Sequence, residues 1–120
     1  MSRDHRKLRA FELADALVID IYMVTKTFPK EELFGLTSQI RRASVSVAAN
    51  IVEGSARASE KEYLQFLRLA LGSLRETGYF IDLSARLGYI QQQRATDLSI
   101  KYEETARVLS GLIRSLRGDL

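Results

Sequence analysis

Residues 35–57, GLTSQIRRASVSVAANIVEGSAR, read as one helix with two ordered faces. Gln39, Arg42, Ser46, Asn50, Glu53 and Arg57 recur at steps of 3, 4, 4, 3 and 4. At about 100° per residue they fall within roughly an 80° arc. Ile40, Val47, Ala48, Ile51 and Val52 take the other side, with the small Ser44 among them. A helix that is apolar on one face must bury that face, so this segment belongs in a core built of helices. The polar stripe is too regular for solvated surface alone, and it matches no catalytic constellation.

The rest of the chain repeats the helical period. Before the opening stretch, residues 8–28 carry Phe11, Leu13, Ala14, Leu17, Val18, Ile21, Tyr22, Val24 and Phe28 on a broad apolar face. Ile19 and Met23 lie off that face, either as scattered surface residues or as a second contact with a neighbouring chain. Pro29 ends this helix, because it lacks the next helical donor and pushes Phe28 out of the α region. A short turn in PKEELFG leads to Gly35, and Thr37 or Ser38 is placed to cap the second helix. Gly54 and Ser55 mark its end.

Beyond it, Ser59 and Glu62 fit a capping box for a third helix over residues 60–87. Tyr63, Phe66, Leu67, Ala70, Leu74, Ile81 and Ala85 form its core face. Gly72 and Gly78 weaken a helix by about 1 kcal/mol each relative to alanine, which points to close approach by another backbone or side chain. Gly88 closes the helix. A fourth helix over residues 92–116 carries Ala95, Leu98, Tyr102, Thr105, Leu109, Leu112 and Leu116 at alternating steps of 3 and 4, a heptad seam. Short connections favour antiparallel neighbours. The expected fold is all-α: one antiparallel up-down-up-down four-helix bundle spanning residues 1–120, with a basic, flexible leader at residues 1–7.

Composition agrees and excludes several chemistries. Hydrophobic residues make up 46% and charged residues 28% of 120, an ordinary globular balance long enough for one core. With no cysteine there is no disulfide, thiol nucleophile or cysteine zinc site, which fits a reducing compartment. No apolar run is long enough to span a membrane, and the basic start leads into no signal-peptide core. His5 is the sole histidine, and no metal-binding or phosphate-loop motif occurs. A di-iron bundle needs Glu-x-x-His pairs, which are absent. Glu31/Glu32 and Glu103/Glu104 are sequence neighbours and share no helix face. The expectation from the residues is therefore no metal and no cofactor, and nothing in the sequence supports the one remaining option, acid–base work by a lone Glu53 or Glu76. The net charge of +3 favours a polyanionic partner only mildly.

Two stripes remain as candidate sites. In the first, Arg42 or Arg57 is expected to pair with Glu53 or Glu76, while Gln39, Ser46, Asn50 and Ser73 complete a network that fixes register or a subunit interface. A ligand surface is the alternative. The second is a basic line: Lys61, Arg68 and Arg75 at intervals of seven, continued by Arg86, with Tyr79 alongside and Arg107 and Arg114 on the fourth helix. Such a line either tracks a phosphate backbone, Tyr79 stacking on a base, or is a solvated bundle face interrupted by Asp82.

The chain resembles the four-helix-bundle family encoded in bacterial 23S ribosomal RNA intervening sequences, whose related branch includes accessory proteins of diversity-generating retroelements. The resemblance rests on FPKEE at 28–32, GLTSQIRRA at 35–43, NIVEG at 50–54 with Arg57, FL at 66–67, ALGS at 70–73 with Glu76, and LSGLI at 109–113. One departure is Ala48-Ala49, where many relatives carry proline before the alanine. The resemblance implies a cytoplasmic, non-enzymatic homo-oligomer, a pentameric ring, whose basic surface contacts RNA or a nucleic-acid-handling partner. The competing reading is a protein-interaction adaptor, for instance for a reverse transcriptase, without direct nucleic-acid binding. The family's biological role is itself poorly defined.

Overall fold

The computed structural model describes residues 3–118. Four long helices carry the fold: α1 (Arg9–Thr25), α2 (Leu36–Ser55), α3 (Glu60–Arg86) and α4 (Gln92–Arg117). Short 3-10 turns at His5–Lys7 and Lys30–Glu32 precede α1 and α2. No strand occurs among the described residues. Each helix packs on its sequence neighbours, and α4 closes the ring against α1, while the backbones of the diagonal pairs stay further apart.

The direction of each helix follows from which residues meet. Arg41 Nε donates to Thr25 Oγ1 at 2.8 Å, which joins the start of α2 to the end of α1. Ser46 and Ser73 share a hydroxyl hydrogen bond of 2.9 Å, and Gly54 lies against Tyr63 and Phe66. Gly78 meets Tyr102 across α3 and α4. Arg9 pairs with Glu104, and Asp20 with Lys101, across α1 and α4. Across α2/α3 and α1/α4 rising numbers meet falling ones, and the short connections between α1 and α2 and between α3 and α4 complete an antiparallel four-helix bundle.

The core is where the apolar periods converge. Leu17, Ile21, Ile40, Val47, Ile51, Leu67, Leu74, Ile81, Leu98 and Leu109 are buried. Ala85, Tyr102, Leu112 and Leu116 pack at its margin, Phe66 is half-buried beside Gly54 and Arg57, and Tyr22, expected on the core face, is exposed. Thr105 is buried as its place in the seam predicts, and Thr25 and Thr77 join it, each hydroxyl donating to the carbonyl four residues back at 2.7 to 2.9 Å.

The helix ends correct one expectation. Ser59 Oγ accepts from Glu62 N at 3.1 Å, so the start of α3 is capped as its sequence predicts. Gly88 takes φ +80, the left-handed conformation that closes α3. The start of α2 is different: it begins at Leu36, ahead of Thr37 and Ser38, and Thr37 is buried. The acceptor for its free amide comes from the preceding 3-10 turn, where Glu32 Oε1 takes the Leu36 N–H at 3.1 Å. Helix α2 then runs unbroken through Ala48 and Ala49.

Candidate nucleic-acid interface

The stripe on α2 lies along the outer margin of the α2/α3 contact, and the structure divides it. Its middle is hydrogen-bonded: Asn50 Nδ2 donates to the Ser46 carbonyl at 2.8 Å and to Ser46 Oγ at 3.1 Å, and Ser46 bonds Ser73. Its far end closes on itself, with Arg57 paired to Glu53 one turn back and its guanidinium carbon 4.8 Å from the Phe66 ring centre. Its near end is open. Gln39, Arg42 and Glu76 are exposed, and no ion pair joins Arg42 to Glu76 or to any other described residue. These three line a groove of about 540 Å³ together with Ser46, Ser73, Phe80 and Phe34. Phe34 stands 93% exposed, which its sequence position in the turn before α2 did not announce.

The basic line lies on the opposite flank of α3, toward α4. Lys61, Arg68, Arg75 and Tyr79 on α3, and Arg107 and Arg114 on α4, are all exposed. Arg86 differs from the rest, because its Nε is 2.9 Å from Asp82. Lys61, Arg68, Arg75, Arg107 and Arg114 have no acidic partner among the described residues. For Arg68 and Arg114 the reason is compositional: neither residues 63–75 of α3 nor residues 105–117 of α4 include an Asp or Glu. Gly78 against Tyr102 fixes the register of the two antiparallel helices. Arg107 therefore stands between the levels of Arg75 and Arg68, and Arg114 between those of Arg68 and Lys61. At 1.5 Å per residue the five cations extend over about 21 Å in a narrow band.

At the Arg75 end this band runs into a second groove between α3 and α4, about 620 Å³ in volume. Ile81 and Ala95 are its buried floor, Arg86 and Arg107 stand on its rims, and Asp82 and Glu103 add negative charge. Ile100, 63% exposed, flanks it. Periodicity could not single out this groove, because it arises from the gap between two helices and not from a face of either.

Two further contacts escape sequence reading. Tyr89 Oη donates to Glu32 Oε2 at 2.9 Å, which holds its hydroxyl above the usual tyrosine range. Of the basic leader, Met1 and Ser2 lie outside the described residues; Arg3 N donates to the Ser55 carbonyl at 2.8 Å, and its guanidinium carbon sits 4.0 Å from the Tyr63 ring centre. Burial pushes the Tyr63 hydroxyl up. Asp4 caps the next turn, and its hydrogen bonds from Arg6 hold its carboxyl below the usual range. Among the described residues no cluster of three or more His, Cys, Asp or Glu could hold a metal ion, and no helix is long and apolar enough to cross a membrane.

Comparison with known proteins follows the same outline. The family model described as 23S rRNA-intervening sequence protein matches residues 6–111. A solved structure from Bacteroides thetaiotaomicron, a protein of unknown function from the S23 ribosomal protein family, superposes with a TM-score of 0.81 at 24% identity. The alignment covers 88% of this chain and 98% of that one, which shows a shared fold. No curated protein matches.

Proposed function

The chain belongs to the 23S rRNA-intervening sequence protein family, and from that premise we propose that it is a non-enzymatic, cytoplasmic homo-oligomer that contacts RNA through the α3/α4 face. One observation carries this reading: Lys61, Arg68, Arg75, Arg107 and Arg114 form a band that the protein's own acids do not neutralise. Phosphates are the natural counter-charge for such a band, and their binding releases condensed counterions. Five phosphate contacts on a single strand give a slope of log affinity against log salt of about −3.5. Tyr79, 56% exposed beside Arg75, adds a ring on which a base can stack.

Assembly is supported by a separate surface. The α2/α3 groove presents an exposed cation and an exposed anion, Arg42 and Glu76, beside the bare ring of Phe34. A second copy of the chain would cover that ring and satisfy those charges, and a ring of five is the assembly we propose.

The test is fluorescence anisotropy with labelled RNA over a salt series, on protein whose solution mass has been measured by light scattering. A mass five times 13.6 kDa and a steep salt slope are expected. A monomer would overturn the assembly. Absence of RNA binding at low salt would overturn the RNA contact and favour the adaptor reading.

A further inference from the structure

We infer that the RNA recognised is single-stranded and that the α3/α4 groove holds one unstacked base, preferring a base with an exocyclic amino group. This inference rests on the RNA contact proposed above and specifies its ligand.

Three observations lead there. First, the five cations alternate between α3 and α4 at interleaved levels along the seam of the two helices, a track that one backbone can follow. Second, the band ends in a cleft of about 620 Å³, inside the usual range for small-ligand sites, with Ile81 and Ala95 as an apolar floor for a flat ring. Third, the charge reverses there. Asp82 and Glu103 enter the lining, and although Arg86 engages Asp82, Glu103 has no ion-pair partner among the described residues. A phosphate is repelled by that carboxylate, so the backbone stays on the band and only the uncharged base enters. An exposed carboxylate facing a base accepts from the amino groups of adenine or cytosine. Uracil presents a carbonyl at the corresponding position and is disfavoured.

The experiment compares labelled oligo(A), oligo(C) and oligo(U) RNAs of about ten nucleotides with a duplex of the same length, by anisotropy. Oligo(A) and oligo(C) are expected to bind about tenfold more tightly than oligo(U) or the duplex. Ser99→Trp, at an exposed rim position, fills the cleft. Checked as folded by circular dichroism, it should bring oligo(A) and oligo(C) down to the oligo(U) level and leave oligo(U) binding and the salt slope unchanged. Glu103→Gln, whose amide can donate as well as accept, should narrow the preference over uracil. Equal affinity for all four RNAs, or a folded Ser99→Trp that keeps the preference, would overturn the cleft assignment while leaving the RNA contact standing. No binding by any RNA would overturn both.

Discussion

Tyr89 and Glu32, fifty-seven positions apart, are joined by a 2.9 Å hydrogen bond that ties the α3–α4 connection to the turn before α2. The Tyr89 ring also packs on Phe28, with centres 5.4 Å apart. The other oxygen of Glu32 accepts the Leu36 amide at 3.1 Å, so one carboxylate caps α2 and staples two connections at the same end of the bundle.

Glu32→Ala should lower unfolding free energy by about 1 kcal/mol through loss of the cap alone. Tyr89→Phe should reveal itself through pH. The folded hydroxyl sits above its ordinary value because Glu32 accepts its proton in a hydrogen bond. Its contribution is therefore whole below the unfolded tyrosine value near 10 and is lost as pH rises through the folded value. Urea titrations between neutral and strongly alkaline pH should show the wild-type protein losing more stability than Tyr89→Phe above about pH 10. Parallel curves would show that the bond contributes nothing to folding.

The glycines make opposite predictions. A Cβ at Gly54 would stand 2.8 Å from Phe66 Cβ and 3.4 Å from the Tyr63 carbonyl oxygen, atoms that cannot turn aside. Gly54→Ala should destabilise the bundle by about 1–3 kcal/mol as α2 and α3 are forced apart. Gly72 meets nothing within 4 Å, so the close approach expected there is absent within the chain. Gly72→Ala should stabilise by about 1 kcal/mol, the helix-propensity difference. Thermal melts of the two variants, read with solution mass, check both; a destabilised Gly72→Ala would mean that another subunit lies against it.

Tyr63 is 2% exposed, yet its hydroxyl has no hydrogen-bond partner. Removing an unpaired buried hydroxyl leaves no new orphan, and the guanidinium of Arg3 stacks on a phenylalanine ring as well. Tyr63→Phe should therefore fold with unchanged or slightly higher melting temperature. A clear fall would show that the hydroxyl has a partner in solution.

The helices were legible because their apolar periods are long and their boundaries are chemically marked: the Ser59–Glu62 cap and Gly88 act where the sequence places them, while α1 stops at Thr25, short of the expected end at Phe28 and Pro29. The cap of α2 was not, because its acceptor belongs to a different element and acts across a turn that local rules do not reach. Thr25 and Thr77 were undercounted as core because a polarity scale does not see that their hydroxyls are satisfied by their own helix. The α2 stripe was visible as a pattern, but pattern alone could not tell its bonded middle, Ser46 and Asn50, from its open end at Arg42. That division depends on where Ser73 and Glu76 fall across the helix contact.

Phe34 offers a direct handle on assembly. A side chain 93% exposed contributes almost nothing to the protomer's own core, so Phe34→Asp should leave the monomer's fold and circular dichroism intact. Placed against a second copy, the same change buries a charge without a partner and should dissociate the oligomer. Light scattering across a concentration series checks this. An unchanged oligomer mass would remove Phe34 and its groove from the subunit interface.

The basic band can be dissected one charge at a time. Arg68 stands without an acidic partner, so Arg68→Gln should remove about one phosphate contact and make the salt slope shallower by about 0.7 for single-stranded RNA. Arg86 is held at 2.9 Å by Asp82, and much of its charge is already answered within the protein. Arg86→Gln, which leaves Asp82 unpaired, should weaken binding at low salt through that carboxylate's repulsion, yet change the slope less than Arg68→Gln does. Arg75→Gln and Arg107→Gln, close in level at the mouth of the groove, should each behave like Arg68→Gln, because neither forms an ion pair among the described residues. Salt-series anisotropy on the four variants decides the matter. Equal slopes for Arg68→Gln and Arg86→Gln would show that ion pairing within the protein does not set which cations meet the phosphates.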